Sequence, residues 1–146
     1  MRKFVIAGVC LITMLVLVWG ADKKTGSDTK LERGKYLVEN VGMCGDCHSP
    51  RNEKGEPIAG QKLQGAALEF EPKVPIPVWA GKAPAIAGLA GLNEEDVVSL
   101  LSTGMTTKGI RPRPPMPPYR FTKTDAEAVV VYLKFLPAAD GSKAGK

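Results

Sequence analysis

Five consecutive residues, Cys44-Gly45-Asp46-Cys47-His48, carry the most specific chemistry in this 146-residue chain. Two cysteines three positions apart share one face of a helical turn. From there their sulfurs can form thioethers with the two vinyl groups of a single porphyrin. The histidine that follows is directed at the iron as an axial ligand, and C-x-x-C-H is the attachment signal of a c-type haem. A structural zinc site needs four ligands, more than these two cysteines and the chain's one histidine supply. A thioredoxin-like C-x-x-C needs a βαβ context, which is missing. A disulfide between Cys44 and Cys47 would leave His48 without a role. The third cysteine, Cys10, lies in an apolar leader and is a poor lipidation site after Val9.

A second axial ligand from this chain cannot be histidine, because there is no other. Methionine is the usual partner in electron-carrying haem proteins of this type, and its thioether raises the reduction potential. Met1 and Met14 fall in the leader, and Met43 precedes Cys44 on the proximal side. Met105 follows a helix stop beside threonines, where a filler or surface role is expected. Met116 stands in Arg113-Pro114-Pro115-Met116-Pro117-Pro118-Tyr119. Prolines on both sides restrict the backbone and can hold the sulfur in place without a helix. Met116 is therefore the expected sixth ligand.

The elements that must position these groups are helical. Residues 1–20 read as an export signal or an uncleaved anchor: Arg2 and Lys3, then a nearly unbroken apolar run from Phe4 to Trp19. Residues 21–28 are polar and small and read as a flexible tether. Thr29 with Glu32 has the form of a capping box for a first helix ending near Gly42. Asn93, followed by Glu94, Glu95 and Asp96, opens a second helix that stops at Gly104. Thr124 with Glu127 opens a third, which Pro137 ends. Residues 49–92 show no sustained period and are punctuated by glycine and proline, and residues 105–123 are again irregular. A structureless stretch of that length is reasonable where it wraps a large cofactor. Residues 138–146 read as a disordered tail.

Composition agrees. The chain has 16 glycines and 12 prolines, and only seven aromatics beyond the leader, a thin core for a domain of this size. A bound porphyrin would supply the missing apolar volume. The net charge of +5 is too mild to indicate nucleic acid. The basic residues Lys108, Arg111, Arg113, Arg120 and Lys123 gather before the next acid, Asp125. They form either a docking surface for an acidic partner or a solvated charged loop.

Taken in order, the capped first helix, the CxxCH, the long loop, the middle helix, the proline-flanked Met116 and the final helix resemble a class I c-type cytochrome over residues 29–137. The motifs Cys44-Gly45-Asp46-Cys47-His48-Ser49-Pro50-Arg51 and Pro115-Met116-Pro117-Pro118-Tyr119 carry the resemblance. Gly34-Lys35-Tyr36-Leu37-Val38, Thr124-Asp125-Ala126-Glu127 and Tyr132-Leu133 are similar to the first and last helices of cytochrome subunits of membrane-bound alcohol, sugar and aldehyde dehydrogenases. The resemblance implies an all-α fold of three to four helices wrapped around one covalently bound haem. It implies that the first and last helices cross, with Gly34 permitting close approach and Tyr132 packing on the partner helix.

Such proteins commonly have Gly-Pro-x-Leu-x-Gly after the CxxCH, with the proline carbonyl accepting from the ligand histidine. The corresponding segment is read as Gly60-Gln61-Lys62-Leu63-Gln64-Gly65, which lacks the proline, so the Gln61 carbonyl is expected to orient His48. Trp79 is either a donor to a haem propionate or a core side chain. The function so implied is electron transfer outside the cytoplasm, in the periplasm or from a membrane anchor facing it. The chain is then either a free carrier or a tightly bound subunit of a dehydrogenase or oxidase. A haem enzyme such as a peroxidase, or a gas sensor, would require Met116 to be displaceable.

Overall fold

The computed structural model describes residues 26–138; the expected leader, residues 21–25 of the tether and residues 139–146 of the tail lie outside them. Helix α1 (Gly26–Tyr36) runs into a π-helical turn (Leu37–Val41) that Gly42 caps. The short α2 (Gly45–His48) carries the CxxCH motif. Two two-residue strands, β1 (Ala66–Ala67) and β2 (Lys82–Ala83), pair antiparallel with Ala66 opposite Ala83. A 3-10 turn (Ala87–Gly91) precedes α3 (Glu94–Thr103), and α4 (Lys123–Phe135) closes the described chain.

Helix α4 is the hub, packing on α1, on α3 and on the 3-10 turn. Its residues Ala126, Ala128, Val129, Val130, Tyr132 and Leu133 are all buried. The crossing with α1 is tight: a Cβ on Gly34 would fall 1.9 Å from the Ala128 carbonyl oxygen and 2.8 Å from Tyr132 Cβ. Only glycine permits that approach, as the resemblance implied. Two ion pairs reinforce the crossing, Lys30 to Glu127 at 2.8 Å and Arg33 to Asp125 at 2.8 Å. Tyr132 also donates to Glu39, which accepts from Lys62 as well, so that α4, the π-turn and the 60s loop meet at one carboxylate.

The helix boundaries correct four expectations. Helix α1 already includes Gly26, so residues 26–28 are not tether, and the Thr29 hydroxyl donates to the Gly26 carbonyl at 3.0 Å instead of capping. The cap of α4 is Thr122, whose hydroxyl accepts from the Asp125 N–H at 3.1 Å. The Phe121 N–H is bonded to the Leu101 carbonyl, which fixes where the chain enters the helix and places Thr124 inside the first turn. At the other end, Ala138 belongs to the fold rather than to a tail, since a Cβ on Gly88 would come within 2.6 Å of its side chain. The middle helix matches its reading: Asn93 accepts from the Asp96 N–H at 3.0 Å, and Gly104 adopts φ 81° at the C-terminus.

Candidate haem site

The residues around α2 are held by the loop that follows. Leu63, fully buried, takes the left-handed conformation (φ 60°). Its N–H donates to Ser49 Oγ at 2.9 Å, and its carbonyl accepts from the N–H groups of Ile86 and Ala87. The Gly65 N–H donates to the His48 carbonyl at 2.8 Å. Such a backbone conformation persists where its surroundings over-determine it, and here the determining contacts fix the His48–Ser49 corner.

His48 is 8% exposed. Its Nδ1 lies 2.7 Å from the Pro84 carbonyl. A carbonyl only accepts, so the proton sits on Nδ1 and the Nε2 lone pair is left for a metal. Burial lowers the imidazole's pKa against the opposing pull of the Pro84 bond, which favours the neutral, ligating form. The expected Gln61 carbonyl is therefore replaced by that of Pro84. The signal was in the sequence: Ala83-Pro84-Ala85-Ile86-Ala87-Gly88 has the Pro-x-aliphatic-x-Gly spacing, with alanine where a glycine was sought.

His48, Cys44, Cys47 and Met116 line one cleft of about 330 Å³. Its walls are apolar, with Leu68 and Ile86 from the loops, Val97, Leu100 and Leu101 from α3, and Val129 and Leu133 from α4. Pro115 and Pro117 flank Met116 at the wall. Both cysteines are free thiols, half-buried, and burial pushes the Cys44 thiol up to about 11. Tyr119 also lines the cleft; burial, then the nearby cysteines, push its phenol up to about 12. Met43 lines the cleft too, beside Cys44, but is 57% exposed. Met105 does not line it. Among the described residues no group of three or more His, Cys, Asp or Glu side chains is placed to hold a metal. Two thiols, a pre-oriented imidazole and a thioether lining an apolar slot fit a covalently attached haem.

Trp79 is placed elsewhere. Its indole N–H donates to the Phe70 carbonyl at 3.3 Å, its ring meets Phe70 edge-on at 5.9 Å, and it does not line the cleft. It clasps the loop between β1 and β2. The basic residues are all exposed, and of the five Arg113 lines the cleft. Lys123 faces a separate groove of about 1210 Å³ between α1, α3 and α4. That groove is larger, yet it carries no cysteine, histidine or methionine. Lys82, which the sequence did not single out, joins Arg113 at the cleft.

No protein-family model matches the chain. Curated relatives do. The chain is 30% identical over 134 residues to the cytochrome c subunit of a quinone alcohol dehydrogenase from Gluconobacter oxydans, covering 85% of this chain and 27% of that protein. It is 34% identical over 113 residues to the fructose dehydrogenase cytochrome subunit of Gluconobacter japonicus, covering 74% and 19%. It is 31% identical over 120 residues to a dihaem c-type cytochrome of Cereibacter sphaeroides, covering 75% and 36%. The chain thus spans well under half the length of each relative.

Proposed function

We propose that this chain, a relative of the cytochrome c subunits of dehydrogenases, is an exported c-type cytochrome that carries one electron at a time. The observation that carries this reading is the convergence of Cys44, Cys47, His48 and Met116 on one apolar cleft. A bound haem supplies a ferric/ferrous couple there. Cys44 and Cys47 hold it through thioethers. His48 ligates through Nε2 while Nδ1 stays bonded to Pro84, which fixes the ring and raises its basicity. Met116 would supply the second ligand, and a thioether there would favour the reduced state. The aliphatic walls exclude water and hold both ligands in place, so little reorganises as charge changes. With His48 and Met116 both held as ligands, substrate would have no access to the metal, and the role would be a carrier's rather than an enzyme's. Lys82 and Arg113 at the cleft give the electron port a positive rim suited to an acidic partner.

The experiment is an intact-mass measurement on exported protein after acid–solvent extraction. One haem retained per chain supports the reading, and its loss in a Cys44→Ala, Cys47→Ala variant assigns the attachment. A wild-type chain that releases all its haem overturns it. The same mass reports whether residues 1–20 are removed. Among the described residues no helix is long and apolar enough to cross a membrane.

A second reading, a subunit held permanently in a dehydrogenase or oxidase complex, is favoured by the loop between β1 and β2. It leaves Phe70 49%, Val74 73% and Val78 57% exposed, and it springs from Leu68 and Ala80 of the cleft wall. Exposed apolar side chains on one loop suit a lasting protein interface. Co-purification of a larger catalytic subunit separates this reading from a free carrier.

A further inference from the structure

The segment that bears Met116 has an unusual difficulty. Pro114, Pro115, Pro117 and Pro118 have no N–H, so most of its backbone cannot donate a hydrogen bond to the rest of the fold. The Pro114 carbonyl accepts from the Ala80 N–H at 2.8 Å, and the Phe121 N–H donates to the Leu101 carbonyl at 3.0 Å. Between those anchors the Met116 N–H bonds only locally, to the Arg113 carbonyl. Arg120 bonds the adjacent carbonyls of Pro118 and Tyr119.

Tyr119 fills the gap. Its hydroxyl donates to the Gly42 carbonyl at 2.6 Å across 77 residues of sequence. Among the described residues this is the one hydrogen bond that ties residues 115–120 to the Cys44 side of the cleft. Gly42 is itself fixed, its N–H bonded to the Leu37 carbonyl at 2.7 Å. The Tyr119 ring is stacked on Phe121 at 5.1 Å. We propose that Tyr119 is a positioning residue whose bond to Gly42 latches the Met116 loop against the CxxCH turn and so sets how readily Met116 leaves the iron. This rests on the reading of Met116 as the axial ligand.

The test uses the oxidised holoprotein. Tyr119→Phe keeps the stacked ring and removes only the hydroxyl. The latch predicts cyanide binding about tenfold faster than wild type, the size of one net hydrogen bond, with faster amide exchange at Met116. The near-red Fe–Met band persists at equilibrium, and covalent haem is unchanged. Phe121→Leu, which disturbs the packing but keeps the hydroxyl, leaves the cyanide rate within about twofold of wild type. Equal rates in wild type and Tyr119→Phe, with the Fe–Met band present in both, overturn the latch and leave the ligation reading standing. Equal acceleration by Phe121→Leu overturns it as well, by assigning the effect to packing. A wild-type protein without the band that binds cyanide rapidly overturns the ligation reading, and the latch with it.

Discussion

The imidazole Nδ1 of His48 stands 2.7 Å from the carbonyl oxygen of Pro84, which lies just beyond strand β2. The orientation of the His48 ring is thus set by a loop 36 residues away, and that loop is held in turn by the backbone at Leu63 and Gly65. Gly65 adopts φ 84°, and a Cβ there would lie 2.8 Å from the Ala85 N atom.

Gly65→Ala should therefore act on the site as well as on the fold. The added carbon meets backbone rather than a movable side chain, and the positive φ adds strain. A loss of about 2 kcal/mol or more is expected, measured as a lower urea midpoint of the holoprotein. A shifted Soret band should accompany it as Pro84 moves off the imidazole. An unchanged midpoint would contradict the close packing of these two segments.

The start of α4 offers a discriminating pair. Thr122→Ala removes the hydroxyl that accepts from the Asp125 N–H and should cost about 1 kcal/mol. Thr124→Ala, inside the first turn and exposed, should change stability by less than about 0.5 kcal/mol. Thermal or urea unfolding of both variants checks the assignment, and the opposite order would restore Thr124 as the cap.

These two threonines show what was legible in sequence. The existence of α4, its apolar face and its stop were readable from Ala126 to Pro137. Its start was not, because two threonines two residues apart each have an acid three positions on, and only the Phe121–Leu101 bond chooses between them. Asn93 and Gly104 had no such competitor and were read correctly. Cys44, Cys47, His48 and Met116 were legible as candidates because their chemistry is carried by side-chain type and by the prolines around Met116. Pro84 was missed because its contribution is a backbone carbonyl, and glycines elsewhere matched the sought pattern better. Strands β1 and β2, two residues each and made of alanine and lysine, leave no periodic trace. Of the five basic residues, Arg113 lines this cleft and Lys123, on α4, lines a separate groove.

The crossing of α1 and α4 should weaken in acid. The Arg33 hydrogen bond holds Asp125 below its ordinary value of 3.8, and the Lys30 hydrogen bond holds Glu127 below its ordinary 4.5. Each carboxylate is favoured in the folded state, so its contribution is fully present above the ordinary value and is lost as pH falls through the lowered folded-state value. A double variant, Asp125→Asn with Glu127→Gln, should be less stable than wild type at pH 7. The difference should hold down to about pH 4.5 and close as the pH drops below 3.8. Both side chains are solvent-accessible, so added salt should shrink the gap. A gap that is the same at pH 3 and pH 7 would contradict the assignment.

The central claim, that His48 and Met116 hold one haem iron between them, is tested most directly by the near-red absorption of the oxidised protein, where the Fe–Met bond has its characteristic weak band. The account predicts the band in wild type and in Met105→Ala and its loss in Met116→Ala, with covalent haem retained in all three. A band that survives Met116→Ala, or that wild type lacks, would contradict it.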